Sequence, residues 1–348
     1  MTRPLSPCTR RSFLKKACAA GATLGAAGAL GALFPPLVLA GTVRGRVEQQ
    51  SRLLMGTVVI LTALSPDSAL AEEAFSLAFA EIERLTAIFD RHSPDSAISL
   101  LNTEGRLRNS PPELTAVLDS ALALGRATGQ TFNPAIAPVV DLLEAAKQTG
   151  SKLPAYSSGD MRDALALAAP GGIYLKRDTI RLGREGMRLT LDGIAKGHIA
   201  DAASRVLTSQ GLVNHMVNAG GDLRTSGGPA PDLEPGKPWT IGIQHPGKAA
   251  ALLAAVPVSG GIATSGSYSN HYDRSHARHH LISPNTGKSA DITSITVRAL
   301  SAEQADGLAT ALSLLPPSEA LRHAESLRSV SCFIVDRHGR CFASTGWG

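Results

Sequence analysis

Asp306 and Thr310 stand four residues apart in the segment QADGLATAL, a spacing that puts both side-chain oxygens on one face of a helix. Their neighbours Gly307, Ala309 and Ala311 are small and leave the backbone approachable. One carboxylate and one hydroxyl are too few ligands for Ca²⁺. They suit Mg²⁺, which prefers hard oxygens and completes its octahedron with water or phosphate. The same spacing also serves an acid near a helix start and a threonine bonded back into its own turn. The pair therefore needs company before it means a site.

Four other segments could supply it. TLDGIAKGHIAD, residues 190–201, follows an apolar stretch and reads as a helix start, with Gly193 able to present its carbonyl and Lys196 close behind. It matches neither G-x-x-x-x-G-K-[ST] nor G-x-G-x-x-G, so it is not a nucleotide fingerprint loop. NAGGDLRTSGG, residues 218–228, pairs two glycines with Asp222 and Arg224, a strand-turn-strand that lets backbone approach a ligand. In GIATSGSYSN, Thr264, Ser265 and Gly266 offer hydroxyls and amides at what reads as a turn. Finally, HYDRSHARHHLISPNTGK places His271, His276, His279 and His280 within ten residues. That spacing does not put three of them on one face of a regular element, which disfavours zinc. His280, beside the apolar LI and the turn SPNTG that follows it, is the best single acid, base or phosphate contact. Together the segments point to a Mg²⁺-dependent site handling a phosphorylated ligand.

The elements that must position these residues are mixed in type. MGTVVILTAL, residues 55–64, reads as a strand after a polar linker. Residues 66–90 read as a long helix with Leu70, Ala74, Leu77, Phe79, Ile82 and Leu85 on its apolar side. Asp95 or Ser96 caps a short helix, and two further helical patterns start near Pro111 and Asn133. From Gly172 the character turns to short strands: IYLKR, TIRLG, MRLTL, HMVNAGGDLRTSG, WTIGIQHP, LLAAVPVSG and ITSITVRAL. They are interrupted by a helix from Gly193 to Gly211 and another from Ser301 to Leu315. Strands and helices without strict alternation indicate an α+β fold with mixed or antiparallel sheets and flanking helices.

Thirty-four Lys and Arg stand against 29 Asp and Glu, but Arg3, Arg10, Arg11, Lys15 and Lys16 all fall in the first forty residues, which hold no acid. Those residues read as a twin-arginine export signal: TRRSFLKK, an uncharged Ala/Gly/Leu run, and a small residue at Ala40 suited to cleavage. The remaining chain is neutral, which argues against a nucleic-acid partner. The organisation expected is a signal peptide over 1–40, a linker over 41–50 and one domain over 51–348, with a periplasmic destination. Cys332 and Cys341 flank a turn near His338-Gly339. The hairpin register expected there does not oppose them, so a reduced pair is at least as plausible as a disulfide.

Taken in order, MGT, SPDSAISLLN, GQTFNPAIAPV, LTLDGIAKGHIAD, VNAGGDLRTSG, PWTIGIQHP, IATSGSYSN, HHLISPNTG and ADGLATAL resemble the ApbE family of FAD:protein FMN transferases. The resemblance implies a single α+β domain that takes FAD as substrate with Mg²⁺. The hydroxyl of a Thr or Ser on a partner flavoprotein would attack the FMN-side phosphorus, AMP would leave, and FMN would stay attached through a phosphoester. It implies Mg²⁺ ligands at Asp306, Thr310 and the Gly193 carbonyl. It implies flavin-nucleotide contacts at Met55, His92, Thr131, Phe132, Asn133, Thr190, Lys196 and His280. The family pattern has Asp where this chain has Thr190, Asn133 and Ser283, and Tyr where it has His92. Asp192, two positions after Thr190, could replace the lost charge, and Asp192, His280 and Asp306 all stand as general-base candidates, with His280 and Asp192 foremost. These substitutions with the export signal resemble the NosX-like branch, which implies a periplasmic or membrane-bound, NosR-like flavoprotein acceptor. A flavin carrier without transferase activity, or a Mg²⁺-dependent FAD pyrophosphatase, would use the same residues.

Overall fold

The structure, a computed structural model, describes residues 45–229 and 236–347. The expected export signal and residues 41–44 lie outside them. Residues 46–50, read from the sequence as linker, are instead the first half of a strand, β1 (Arg46–Leu54), paired along its whole length with β2 (Thr57–Ser65). The polar composition misled because β1 is an edge strand whose side chains are largely exposed.

The helix α1 (Ser68–Phe89) follows, with Asp67 accepting from the Ala69 amide at 3.0 Å as its cap. Ala71, Ala74, Phe75, Ala78, Phe79, Ile82, Leu85 and Phe89 recur at helical spacing and are buried. Burying each of the large ones contributes about 1.5–3 kcal/mol. Leu77, expected on this face, is 44% exposed, because the apolar stripe runs through Phe75 and Ala78 on either side of it. Next come α2 (Ala97–Glu104), capped by Ser96, the two-residue β3 (Arg106–Leu107) and α3 (Pro112–Ala127). A 3₁₀ turn (Pro134–Ile136) leads into α4 (Ala137–Thr149), and α5 (Gly159–Leu167) starts at its cap Ser158. The strands β4 (Ile173–Lys176) and β5 (Thr179–Leu182) join β3 in a small antiparallel sheet of order β3-β5-β4.

MRLTL, expected as a strand, joins no ladder. Its backbone is satisfied from outside: the Asn102 side chain donates to the Leu189 carbonyl at 2.8 Å and accepts from the Leu189 amide at 2.7 Å, and the Thr190 amide donates to the Pro134 carbonyl. The following helix α6 (Ala195–Ser209) begins two residues later than the glycine suggested. Beyond it lie β6 (His215–Ala219), β7 (Asp222–Ser226), the hairpin β8 (Trp239–His245) and β9 (Lys248–Val258), then β10 (Gly260–Gly266) and β11 (Ile292–Ala299). Thr264 to Gly266, read as a turn, thus end a central strand, with Thr264 opposite Thr296. The chain closes with α7 (Ala302–Ser313), α8 (Pro317–Ser326), β12 (Ser331–Asp336) and β13 (Cys341–Ala343).

The main sheet has order β1-β2-β6-β7-β10-β11-β12-β13, and every pairing is antiparallel. The largest core cluster joins β2, α1, α2, α3 and α6, and a second joins β11, β12, α7 and α8. Among the described residues no disulfide joins Cys332 and Cys341, since the register sets Cys341 opposite Val335 and leaves Cys332 buried three residues along.

Candidate active site

Antiparallel order gathers distant segments at one end of the main sheet. β2 starts there after the Met55-Gly56 turn, β6 ends there at Ala219, β7 leaves at Asp222, β10 arrives at Gly266 and β11 leaves opposite it. Met55 holds a positive φ of 54° in that turn. The same end carries the excursion between β10 and β11 that contains His280.

Two helices bring the remaining groups. α6 and α7 approach so closely at Gly197 that a methyl group there would overlap the Ala302 carbonyl. The freed space is used: the Gly197 amide donates to Asp306 Oδ2 at 3.0 Å. Asp306 is 3% exposed. Burial pushes its carboxyl up to about 7, the nearby Asp222 acts in the same sense, and Lys196 opposes both. Thr310, one turn further on α7, lies against Gly193, where an added Cβ would sit 2.8 Å from Thr310 Oγ1, and within 3.5 Å of Ser265 Oγ. Asp306, Thr310 and the Gly193 backbone are therefore brought together from positions more than a hundred residues apart. They offer a carboxylate, a hydroxyl and a peptide carbonyl, all hard oxygens, at a buried carboxylate whose charge calls for a cation; these residues fit Mg²⁺.

Lys196 Nζ donates to Asp222 Oδ2. Burial works against the ammonium charge, but Asp222 and Asp306 outweigh it and hold the lysine above its usual range. His280 packs nearby. Burial lowers its pKa to about 4, with His279 and Lys196 adding to the effect. Its Nδ1 lies 3.2 Å from the Ser269 carbonyl, which can only accept. The neutral ring therefore carries its proton on Nδ1 and leaves Nε2 as a lone pair.

Asp192 behaves differently from the expectation that it replaces a charge missing at Thr190. Thr190 is buried, and its hydroxyl accepts from the Asp192 amide at 3.2 Å, while the Asp192 carboxylate is 59% exposed and accepts from Arg91 Nε at 3.0 Å. Arg91 also pairs with Asp141 at 3.0 Å and Glu144 at 2.7 Å. Asp192 therefore stands at the exposed rim as an ion-pair partner of Arg91. Arg91, Asp141 and Glu144 were not singled out in the sequence, where nothing relates them to one another or to Asp192.

His92 lines a polar cleft of about 530 Å³ beside this network, with Ser99, Asn102, Asp141 and Arg188. Thr131, Phe132 and Asn133 lie at the mouth of the 3₁₀ turn. Thr131 Oγ1 donates to the Thr128 carbonyl, Phe132 is buried, and Asn133 caps the turn through Ala135 N while donating to the Ala168 carbonyl at 2.6 Å. The Thr190–Pro134 hydrogen bond ties this segment to the one carrying Gly193.

The fold is antiparallel α+β, and one end of its main sheet sets the hard oxygens of Asp306 and Thr310 beside a half-buried lysine paired with Asp222. The chain belongs to the ApbE family, whose model matches residues 55–334. It is similar to an FAD:protein FMN transferase of Klebsiella pneumoniae (strain 342), 31% identical over 75% of this chain and 80% of that one. A Treponema pallidum (strain Nichols) protein of the same name is 28% identical over 87% and 89%. Among solved structures, the flavin transferase ApbE from Vibrio cholerae superposes with a TM-score of 0.73 at 23% identity, covering 86% of this chain and 98% of that one. The apo flavinyl transferase ApbE of Pseudomonas stutzeri gives 0.74 at 24% identity, over 86% and 95%. These two likenesses establish the shared fold.

Proposed function

We infer that this chain transfers FMN from FAD to a protein acceptor. The observation that carries the reading is the convergence of Asp306, Thr310 and Gly193 next to the Lys196–Asp222 pair. In this reading the acceptor is a Thr or Ser hydroxyl: its oxygen forms a bond to the FMN-side phosphorus, the anhydride bond breaks, and AMP leaves. Asp306, Thr310 and the Gly193 carbonyl hold Mg²⁺, which supplies charge neutralisation at the pyrophosphate when bound. Lys196 keeps its charge beside the same phosphates. His280 Nε2 accepts the hydroxyl proton, its lone pair free because Nδ1 donates to the Ser269 carbonyl. Met55, His92, Thr131, Phe132, Asn133 and Thr190 border the nucleotide.

The acceptor class is a flavoprotein outside the cytoplasm, periplasmic or membrane-bound. The twin-arginine motif supports export, and the NosR-like assignment rests on the resemblance alone. Purified protein with FAD, Mg²⁺ and an acceptor peptide should give a band whose flavin fluorescence survives denaturation. Chelation or Asp306→Ala should remove it. Release of free FMN and AMP with no labelled peptide would instead make the protein a pyrophosphatase, and FAD left intact would make it a carrier.

A further inference from the structure

α6 presents three polar contacts along one face. Lys196 meets Asp222 on β7, the Gly197 amide meets Asp306, and Asp201, one turn further, meets the start of α7. The Asp201 carboxylate is buried, with Oδ1 accepting from the Ala302 amide at 3.0 Å and Oδ2 from the Glu303 amide at 2.9 Å. These are two of the four amides that a helix start leaves without partners. Ser301 serves a third, accepting from the Gln304 amide at 3.1 Å. Arg224 backs the arrangement from β7: its Nε lies 3.6 Å from Asp201 Oδ1, and its Nη1 donates to the Leu300 carbonyl, just before α7. Asp222 and Arg224 are two apart on one strand and therefore share a face. β7 thus grips α6 at Lys196 and at Asp201, and through Asp201 it fixes the origin of the helix that delivers Asp306 one turn later and Thr310 one turn after that.

We propose that Asp201, backed by Arg224, is the positioning residue for the cation ligands: it sets the height of α7 along α6, so that Asp306 and Thr310 meet the Gly193 backbone. Asp201 touches neither substrate nor cation. This role rests on the reading of Asp306 and Thr310 as Mg²⁺ ligands. Its removal would act as the loss of a supporting partner does at other metal sites, by weakening the cation's hold roughly ten- to a hundredfold.

The test uses the wild-type protein, Asp201→Ala, Asp201→Asn and a core control, Val256→Ala on β9, away from both helices. Binding of Mn²⁺, a paramagnetic stand-in, is titrated by electron paramagnetic resonance in the presence of FAD. Amide hydrogen exchange is followed at Ala302 and Glu303, and the half-saturating Mg²⁺ concentration for transfer is measured. Asp201→Ala should raise the Mn²⁺ dissociation constant and the Mg²⁺ requirement roughly tenfold or more, speed exchange at the two amides, and regain most of kcat in excess Mg²⁺. Asp201→Asn, which keeps one acceptor, should fall between; if the alanine variant does not fold, the asparagine variant carries the test. Wild-type Mn²⁺ affinity in folded Asp201 variants would overturn the proposal, as would an equal loss in Val256→Ala. A wild-type protein that binds no Mn²⁺ and transfers without Mg²⁺ would instead overturn the cation reading, and this proposal with it.

Discussion

At the scale of single residues, the Lys196–Asp222 pair is the most exposed to a simple test. Asp222 is buried and Lys196 is its charge partner, so Lys196→Met leaves a carboxylate without compensation. The variant should lose about 1–3 kcal/mol of stability by urea titration. It should also lose transfer activity that excess Mg²⁺ does not restore, because the lost charge belongs to the protein and not to the cation. Stability unchanged within error would show that the pair is not coupled to the fold. Asp306 and Thr310 were legible in the sequence because helical spacing is local. The ion pair of Asp192 with Arg91, 101 residues earlier, was not legible, because only chain neighbours such as Thr190 can be read together from sequence. Asp201 had no legible signal, since its partners are amides on a helix that starts at Ala302.

At the scale of elements, the α6–α7 crossing decides whether the site exists. Gly197 permits the close approach, and the atoms that a methyl group would meet are backbone, which cannot swing aside. Gly197→Ala should therefore push the helices apart, cost about 1–3 kcal/mol as overpacking does, and break the amide contact to Asp306. Urea titration together with Mn²⁺ binding checks both parts, and a stable variant with unchanged Mn²⁺ affinity would contradict the crossing's role. Sequence periodicity found α1, α3, α4, α6 and α7 well, because each has an apolar stripe or a clear cap. It read MRLTL as a strand because alternation cannot distinguish a ladder from an extended segment held by the Asn102 side chain. It missed α8, although Pro317 at the first position and Glu319 in the first turn are helix-start signals.

At the scale of the whole molecule, the sheet is a scaffold whose one end collects the site and whose interior keeps several histidines neutral. His215 is fully buried between the Leu212 carbonyl and Ser204, and burial lowers its pKa below 6.5; His279 shares that fate. Below pH 6.5 the unfolded chain takes up protons that these folded rings refuse, so their contribution is complete above 6.5 and is lost as the pH falls below it. Metal-free Asp306 titrates in the opposite sense, so the histidine part is read as a difference. The stability advantage of wild type over His215→Gln should shrink between pH 7.5 and pH 5, measured by urea denaturation; a constant difference would contradict it. The α+β class and most of the long helices and strands were legible from composition and pattern. The eight-stranded antiparallel order was not, because pairings such as β2 with β6 join segments more than 150 residues apart.

The most direct measurement of the central claim is the intact mass of an acceptor flavoprotein domain after incubation with this protein, FAD and Mg²⁺, with the nucleotides quantified in the same sample. The expected result is an acceptor heavier by one FMN less water, AMP formed one for one, the modification placed on a Thr or Ser, and neither product with Asp306→Ala. An unmodified acceptor, whether FAD remains whole or is split to free FMN and AMP, would contradict it.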